Sequence, residues 1–299
     1  MEKRIGCQIG LFFLCAFIIF MVFPITARAD VGPKPSVTIT FKNMGDELCY
    51  GTLLSESASA GPMSAWDGDE AHIDTGNLDR KIWEAFAYYQ DEDGYYFLQE
   101  AWLCSESKRL CWDYYPPDPF KILLYYPETD TYAVSSIYES YAFDSYYSVD
   151  MDGVVPTSAR MQTPVLIAKN SYDYVGQVLS LLIRTAITII LETAIALLFG
   201  FRKKRQVYMI AGVNIVTQVI LNIWLNIINY NSGFLAFLVF YFCGEVGVFI
   251  LEAVLYCILL NMVSEKEIPL WRTTLYALIA NVGSFLCGIH LVEVIPGIF

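Results

Sequence analysis

Hydrophobic and polar positions follow three successive patterns along the 299-residue chain. The first is a basic start, Lys3 and Arg4, then an apolar run from Ile9 to Phe23, Pro24, and the small-residue ending Ala27-Arg28-Ala29. That layout predicts a secretory signal over 1–29, with an uncleaved signal anchor as its alternative. The second pattern, over 30–172, consists of short segments rich in Tyr, Val, Thr and Ile, broken by Gly, Pro and Asp, and none is long enough to cross a bilayer. It predicts strands at 36–42, 48–54, 95–103, 111–115, 121–126 and 131–135, with turns at Asp93-Gly94 and at 127–130. A helix over 78–89 would bury Ile82, Trp83, Phe86 and Tyr89, with Asp74, Thr75 or Asn77 as its cap. The spacing of Ser136 and Glu139 predicts a second, short helix. Together these make an α+β domain with a mainly antiparallel sheet and one or two helices.

The third pattern, over 173–299, contains four apolar stretches, 174–200, 207–230, 234–263 and 271–295. Each is long enough to cross ~30 Å of hydrocarbon as a helix, so the expectation is an all-α four-helix transmembrane bundle. The cluster Arg202, Lys203, Lys204, Arg205 marks a cytoplasmic loop between the first two spans. Export by the signal puts 30–172 outside the cell membrane, Asn231-Ser232-Gly233 becomes an outer turn, and Lys266 and Arg272 mark a second inner loop.

Composition agrees with this division. Hydrophobic residues make up 56% of the chain and charged residues 17%, which is too apolar for an ordinary soluble protein. Residues 30–172 carry 23 acidic and 9 basic side chains, a net charge of -14, whereas 174–299 carry 6 and 7. So acidic a domain is a poor partner for nucleic acid. It also holds three cysteines. Cys104 and Cys111 bracket six residues between two expected strands, as in a disulfide-clamped hairpin, which leaves Cys49 odd; the alternative is three reduced thiols.

Ionisable groups inside spans carry the most information, since each costs at least ~2.5 kcal/mol at the bilayer centre. There are four: Arg184, Glu192, Glu245 and Glu252. Asn214, Gln218, Asn222 and Asn226 draw one polar stripe along the second span that must face protein. Counting residues from each span's midpoint gives two polar layers. Arg184 and Glu245 share one as an intramembrane ion pair; Glu192, Glu252, Asn214 and Asn281 share the other. Two carboxylates in low dielectric cannot both ionise cheaply, so this second layer is either a proton or cation site or structural glue between helices.

Enzyme signatures such as H-E-x-x-H, G-x-S-x-G or a P-loop are lacking, so the reading leans away from an enzyme and calls for no cofactor. An intramembrane enzyme would have to use Ser284 or Cys287. The stretch Asp67 to Asp74, with His72, departs from a calcium loop at Ala71 and reads as a solvated acidic loop, and His290 with Glu293 reads as interfacial, so no metal site is expected. Tyrosine pairs at 88–89, 95–96, 114–115, 125–126 and 146–147 put one ring on each face of the local element.

The phrases Ala29 to Ser36, Gly94 to Gln99, Phe120 to Pro127, Tyr141 to Ser145, Ala196 to Arg202 and Ile295 to Phe299 give the chain its family character, and Thr52-Leu-Leu-Ser55 belongs with them. The chain resembles an uncharacterised family of bacterial membrane proteins with a signal peptide, an extracytoplasmic domain and a C-terminal helix bundle. The resemblance implies that architecture and a bacterial cell membrane, and carries over no catalytic or binding residue. The resulting expectation is a membrane protein that binds an extracellular ligand or protein partner through its acidic, Tyr-rich domain. Its alternatives are a small transporter or channel, functioning as a homo-oligomer, with Glu192 and Glu252 on its path, and an intramembrane enzyme.

Overall fold

The computed structural model describes residues 32–158 and 164–294. The expected signal over 1–29 and the chain end after Val294 lie outside the described residues. The chain divides into an α/β unit, Pro33–Tyr172, and a helical unit that begins at Asp173.

The α/β unit runs β1 (Ser36–Lys42), β2 (Tyr50–Ser55), β3 (Ser59–Ala60), β4 (Met63–Ser64), α1 (Arg80–Ala87), β5 (Tyr96–Phe97), β6 (Trp102–Leu103), α2 (Cys104–Ser107), β7 (Arg109–Trp112), β8 (Phe120–Tyr126), β9 (Thr131–Val134), β10 (Asp144–Asp150) and β11 (Ala168–Asn170). One sheet has the order β11-β10-β1-β7; the other has the order β5-β2-β8-β9, with β6 also paired to β2. All pairings are antiparallel except β1 with β10, which run parallel over seven residues.

β8 is buried at every position because both of its faces are covered. Phe120, Ile122, Leu124 and Tyr126 point into a cluster shared with Val37, Ile39, Leu110 and Val149 of the other sheet. Leu123 and Tyr125 point the opposite way, onto Ile82, Trp83 and Phe86 of α1. The layers are therefore sheet, sheet, helix. Alternation sends Lys121 to the α1 side, where its side chain has almost no exposure. Its Nζ donates to Asp91 Oδ1 and Oδ2 at 2.9 and 2.8 Å and also pairs with Asp93. Asp91 Oδ2 further accepts from the backbone N–H of Asp93 and Tyr95, so the turn after α1 is tied to the central strand.

Several expected elements change on inspection of the structure. β1 matches its expected range, but the strand expected over 95–103 breaks into β5 and β6. Gln99 turns the chain there with φ 65°, and its side chain caps Asp74 N and reaches Ser64 O. No helix starts at Ser136: Tyr138 pairs with Phe120 as an isolated bridge instead. α1 is capped by Asp79, whose Oδ1 accepts from Lys81 N, rather than by Asp74, Thr75 or Asn77. β10 was not expected, and it completes the first sheet.

The helical unit contains α3 (Tyr174–Leu198), α4 (Lys204–Val263) and α5 (Leu270–Val294). α4 leaves helical geometry at Gly233, with φ 78° and ψ 177°, a conformation open to glycine. Hydrogen bonds from Thr217 to Glu252 and from Tyr256 to Asn214 show that its two arms fold back on each other. α3 and α4 are long and apolar enough to cross a membrane. At one end of the unit Lys203 pairs with Glu265 at 2.8 Å, Gln206 Nε2 donates to Ser264 Oγ, and the Arg272 guanidinium donates to Phe199 O.

Asp91→Ala leaves the buried Lys121 ammonium with Asp93 alone and removes the acceptor of two backbone N–H groups, so it should destabilise the α/β unit by about 1.5 to 3 kcal/mol. Burial alone would pull the Lys121 ammonium down, but hydrogen bonds to Asp91 and Asp93 outweigh it and hold its pKa above the ordinary lysine value. A raised folded pKa means the contribution is full below the unfolded lysine pKa, about 10.4, and is lost as pH rises through the folded one. Thermal melts of wild type and Asp91→Ala should therefore differ most at neutral pH and converge in strong alkali.

Candidate functional site in the helical unit

The helical unit exposes many apolar side chains and buries, beside its hydrophobic clusters, many polar ones. Val175, Leu198, Tyr208 and Met262 stand exposed, while Ser180, Arg184, Glu192, Asn214, Gln218, Asn222, Glu252, Asn281 and Ser284 are buried. The expected stripe on α4 is buried at Asn214, Gln218 and Asn222, and half-buried at Asn226.

Glu192 and Glu252 are both 0% exposed. Glu252 is held by two donors: Thr217 Oγ1 donates to Oε1 at 2.6 Å, and Asn281 Nδ2 to Oε2 at 2.8 Å. The Tyr256 hydroxyl donates to Asn214 Oδ1 at 2.6 Å, one turn beyond Glu252 on the same helix arm. Glu192, from α3, faces Glu252, Asn214 and Ser284, but neither of its carboxyl oxygens makes a hydrogen bond of good geometry. Asn214 Nδ2 and Asn281 Oδ1 are likewise buried without a partner. The four residues assigned to one polar layer by counting thus sit together in the fold.

Arg184 and Glu245 are brought together differently. Both line a cavity of about 20 Å3 with Thr188, Gln218, Asn222 and Tyr241, roughly the room one water molecule needs. Tyr241 interacts with both the Arg184 guanidinium and the Glu245 carboxyl, so a phenol, not a simple pair, mediates between them. Glu245 Oε2 and Gln218 Nε2 are buried there without partners. Ser284 lines this cavity as well as facing Glu192, which makes it the link between the two groups; counting along spans did not single it out for that place. Its hydroxyl donates to Asn281 O at 3.0 Å. His290 is exposed.

The cysteine bridge expected in the α/β unit is not formed. Cys104 is a buried free thiol in the core, and Cys111 is an exposed free thiol on β7 whose Sγ accepts from Thr38 Oγ1. Cys104 opens the four-residue helix α2, and Lys108, in a left-handed conformation, turns the chain into β7, in place of a hairpin. In the acidic loop His72 Nδ1 pairs with Asp67 at 2.8 Å, both exposed. The backbone N–H of Asp69, then His72, hold the Asp67 carboxyl below its usual range. Among the described residues no group of three or more His, Cys, Asp or Glu is placed to hold a metal ion.

Comparison of the chain with protein-family models, with curated proteins and with solved structures finds no match.

The donors around Glu252 give a stability test that does not depend on function. Thr217→Val deletes one bond to a buried carboxyl and should cost about 0.6 to 1.7 kcal/mol, the range for polar contacts between helices in lipid. Glu192→Gln, which removes no formed hydrogen bond, should leave the melting temperature in detergent within a degree or two of wild type.

Proposed function

We propose that the chain is a multi-pass cell-membrane protein whose four helical spans enclose a proton-binding site at Glu192 and Glu252, and that it moves protons through that site. In this reading the signal exports the α/β unit, the loop from Arg202 to Arg205 stays cytoplasmic, and Gly233 marks an outer turn. The many exposed apolar side chains and buried polar ones support the membrane setting, because lipid reverses the usual reason for burying apolar side chains. The tie from Lys203 to Glu265 supports placing both basic loops on one side.

The observation that carries the site is the pair of facing, fully buried carboxyls, one held by two donors and the other by none. Low dielectric forbids two adjacent negative charges, so one group retains a proton. A proton fits the pair better than a metal cation, since an amide N–H and a hydroxyl point at Glu252 where a cation would need lone pairs.

Ligand or partner binding by the α/β unit is a second reading, favoured by Tyr88, Tyr96, Tyr114, Tyr115 and Tyr146, which are exposed on its surface. The partner tyrosines Tyr89, Tyr95, Tyr125, Tyr126 and Tyr147 are spent in its cores. An intramembrane enzyme has less support, since the Ser284 hydroxyl is engaged by the backbone of its own helix.

The test is flux into vesicles containing the purified chain, read with a pH-sensitive dye. Wild type should pass protons, and Glu192→Gln/Glu252→Gln should reduce the rate at least tenfold while Thr217→Val changes it less. Equal rates in wild type, double mutant and empty vesicles would sink the reading and leave the glutamates as structural glue. Dependence on sodium or potassium would replace the proton with a cation.

A further inference from the structure

Two cysteines in the core of the α/β unit stand opposite each other. β2 and β6 pair antiparallel with Tyr50 against Leu103 and Gly51 against Trp102, so the next step of the register sets Cys49 against Cys104. The backbone agrees: Cys104 N donates to Cys49 O at 2.8 Å. Residues opposed in an antiparallel pair have Cα atoms about 4.5 to 5.5 Å apart, inside the window of about 4.4 to 6.8 Å that a disulfide needs. Both side chains are fully buried in the same apolar cluster, beside the Tyr126 ring. Each thiol makes a long contact to a nearby carbonyl, Cys49 to Tyr50 O at 3.7 Å and Cys104 to Trp102 O at 3.4 Å, and Cys49 also touches the Tyr126 hydroxyl. The absence of a side chain at position 51 makes the room, because a Cβ there would lie 2.8 Å from Cys104 Sγ.

We propose that Cys49 and Cys104, not Cys104 and Cys111, are joined by a disulfide in the exported protein. This rests on the proposed placement of the α/β unit outside the cytoplasm. The reaction is exchange with the disulfide of a thiol oxidoreductase in that compartment. Two S–H bonds are lost here, one S–S bond forms, and the two electrons and two protons leave with the oxidoreductase as its reduced dithiol. The bond closes as the core assembles. In the folded reduced chain, burial pushes the Cys49 thiol up to about 12 and the Cys104 thiol up as well, leaving almost no thiolate to react. The same burial shields the finished bond from reductants. It would staple the start of β2 to the end of β6 and close a covalent loop around α1, adding to the packing of α1 and to the Lys121–Asp91 tie.

The experiment is peptide mapping of the full chain purified from membranes, denatured in excess alkylating reagent without reductant and cut with trypsin. Lys108 and Arg109 fall between Cys104 and Cys111, so the peptides 43–80, 82–108 and 110–121 carry one of the three cysteines each. The expected result is 43–80 linked to 82–108, with 110–121 alkylated. The Cys111→Ser variant should keep the link, and Cys49→Ser should leave Cys104 alkylated. Alkyl groups on both Cys49 and Cys104, or a link from 82–108 to 110–121, overturns the proposal. Labelling of the exposed Cys111 in intact cells with a membrane-impermeant maleimide tests the topology separately. Label at Cys111 together with free Cys49 and Cys104 defeats the disulfide and spares the topology. A Cys111 reached only after lysis defeats the topology, and the exported disulfide falls with it.

Discussion

A carboxyl group taken out of water needs a counter-charge, hydrogen-bond donors or a proton, and the packing of both units follows from how each is supplied. In the α/β unit Asp91 receives all it needs: the Lys121 ammonium and two backbone N–H groups. Because Lys121 lies on the central strand and Asp91 on the turn after α1, satisfying the charge also fixes the helix against the sheet. The apolar contacts of Trp83 and Phe86 then build on a helix already held at its C-terminal end.

The helical unit has no such counter-charge at Glu252, only donors, and those donors come from different helices. Thr217 belongs to the first arm of α4, Glu252 to the second, Asn281 to α5, and the facing Glu192 to α3. In the proposed membrane setting, helices gain little from burying apolar side chains against each other, so polar contacts of this kind carry the specificity of packing. One carboxyl thus sets the rotation of the arms of α4 and of α5 together. The hydrophobic cluster of Phe201, Tyr256, Leu260 and Tyr276 fills one end of the unit but would tolerate other rotations more easily.

What the sequence disclosed depended on the range of the interaction concerned. β1 was legible because alternation from Val37 to Phe41 is local. The meeting of Glu192, Glu252, Asn214 and Asn281 was legible in outline because a bilayer forces polar residues inward and a helix turns position into depth. Lys121 as a buried cation was not legible, since a lysine inside an apolar strand ordinarily marks its edge, and Asp91 lies 30 residues away. Nor was β10, whose Ser, Tyr and Asp pattern reads as loop until β1 pairs with it. The cysteine pairing failed for the same reason: Cys111 is near Cys104 in sequence, but the register of β2 and β6 brings up Cys49 across the whole α1 layer.

The orientation of one amide shows how Glu252 is held. Asn281 Nδ2 donates to both Glu252 Oε2 and Ala277 O, while Asn281 Oδ1 is left without a partner. Reversing the amide would forfeit the bond to Ala277 and set an oxygen lone pair against the carboxyl, which is favourable only if Glu252 is protonated. The arrangement present suits a carboxylate, and equally a carboxylic acid whose O–H on Oε1 donates to Thr217 while the Thr217 hydroxyl donates to Val213 O. Glu192, across from Glu252, lies within reach of the Ser284 hydroxyl and of the unpartnered Asn214 Nδ2, so each glutamate of the proposed proton site has polar groups of its own. In the proposed reading, a proton passing from one glutamate to the other would need no helix to move, only the Thr217 hydroxyl and the Asn281 amide to turn, because both polar groups that touch Glu252 are side chains.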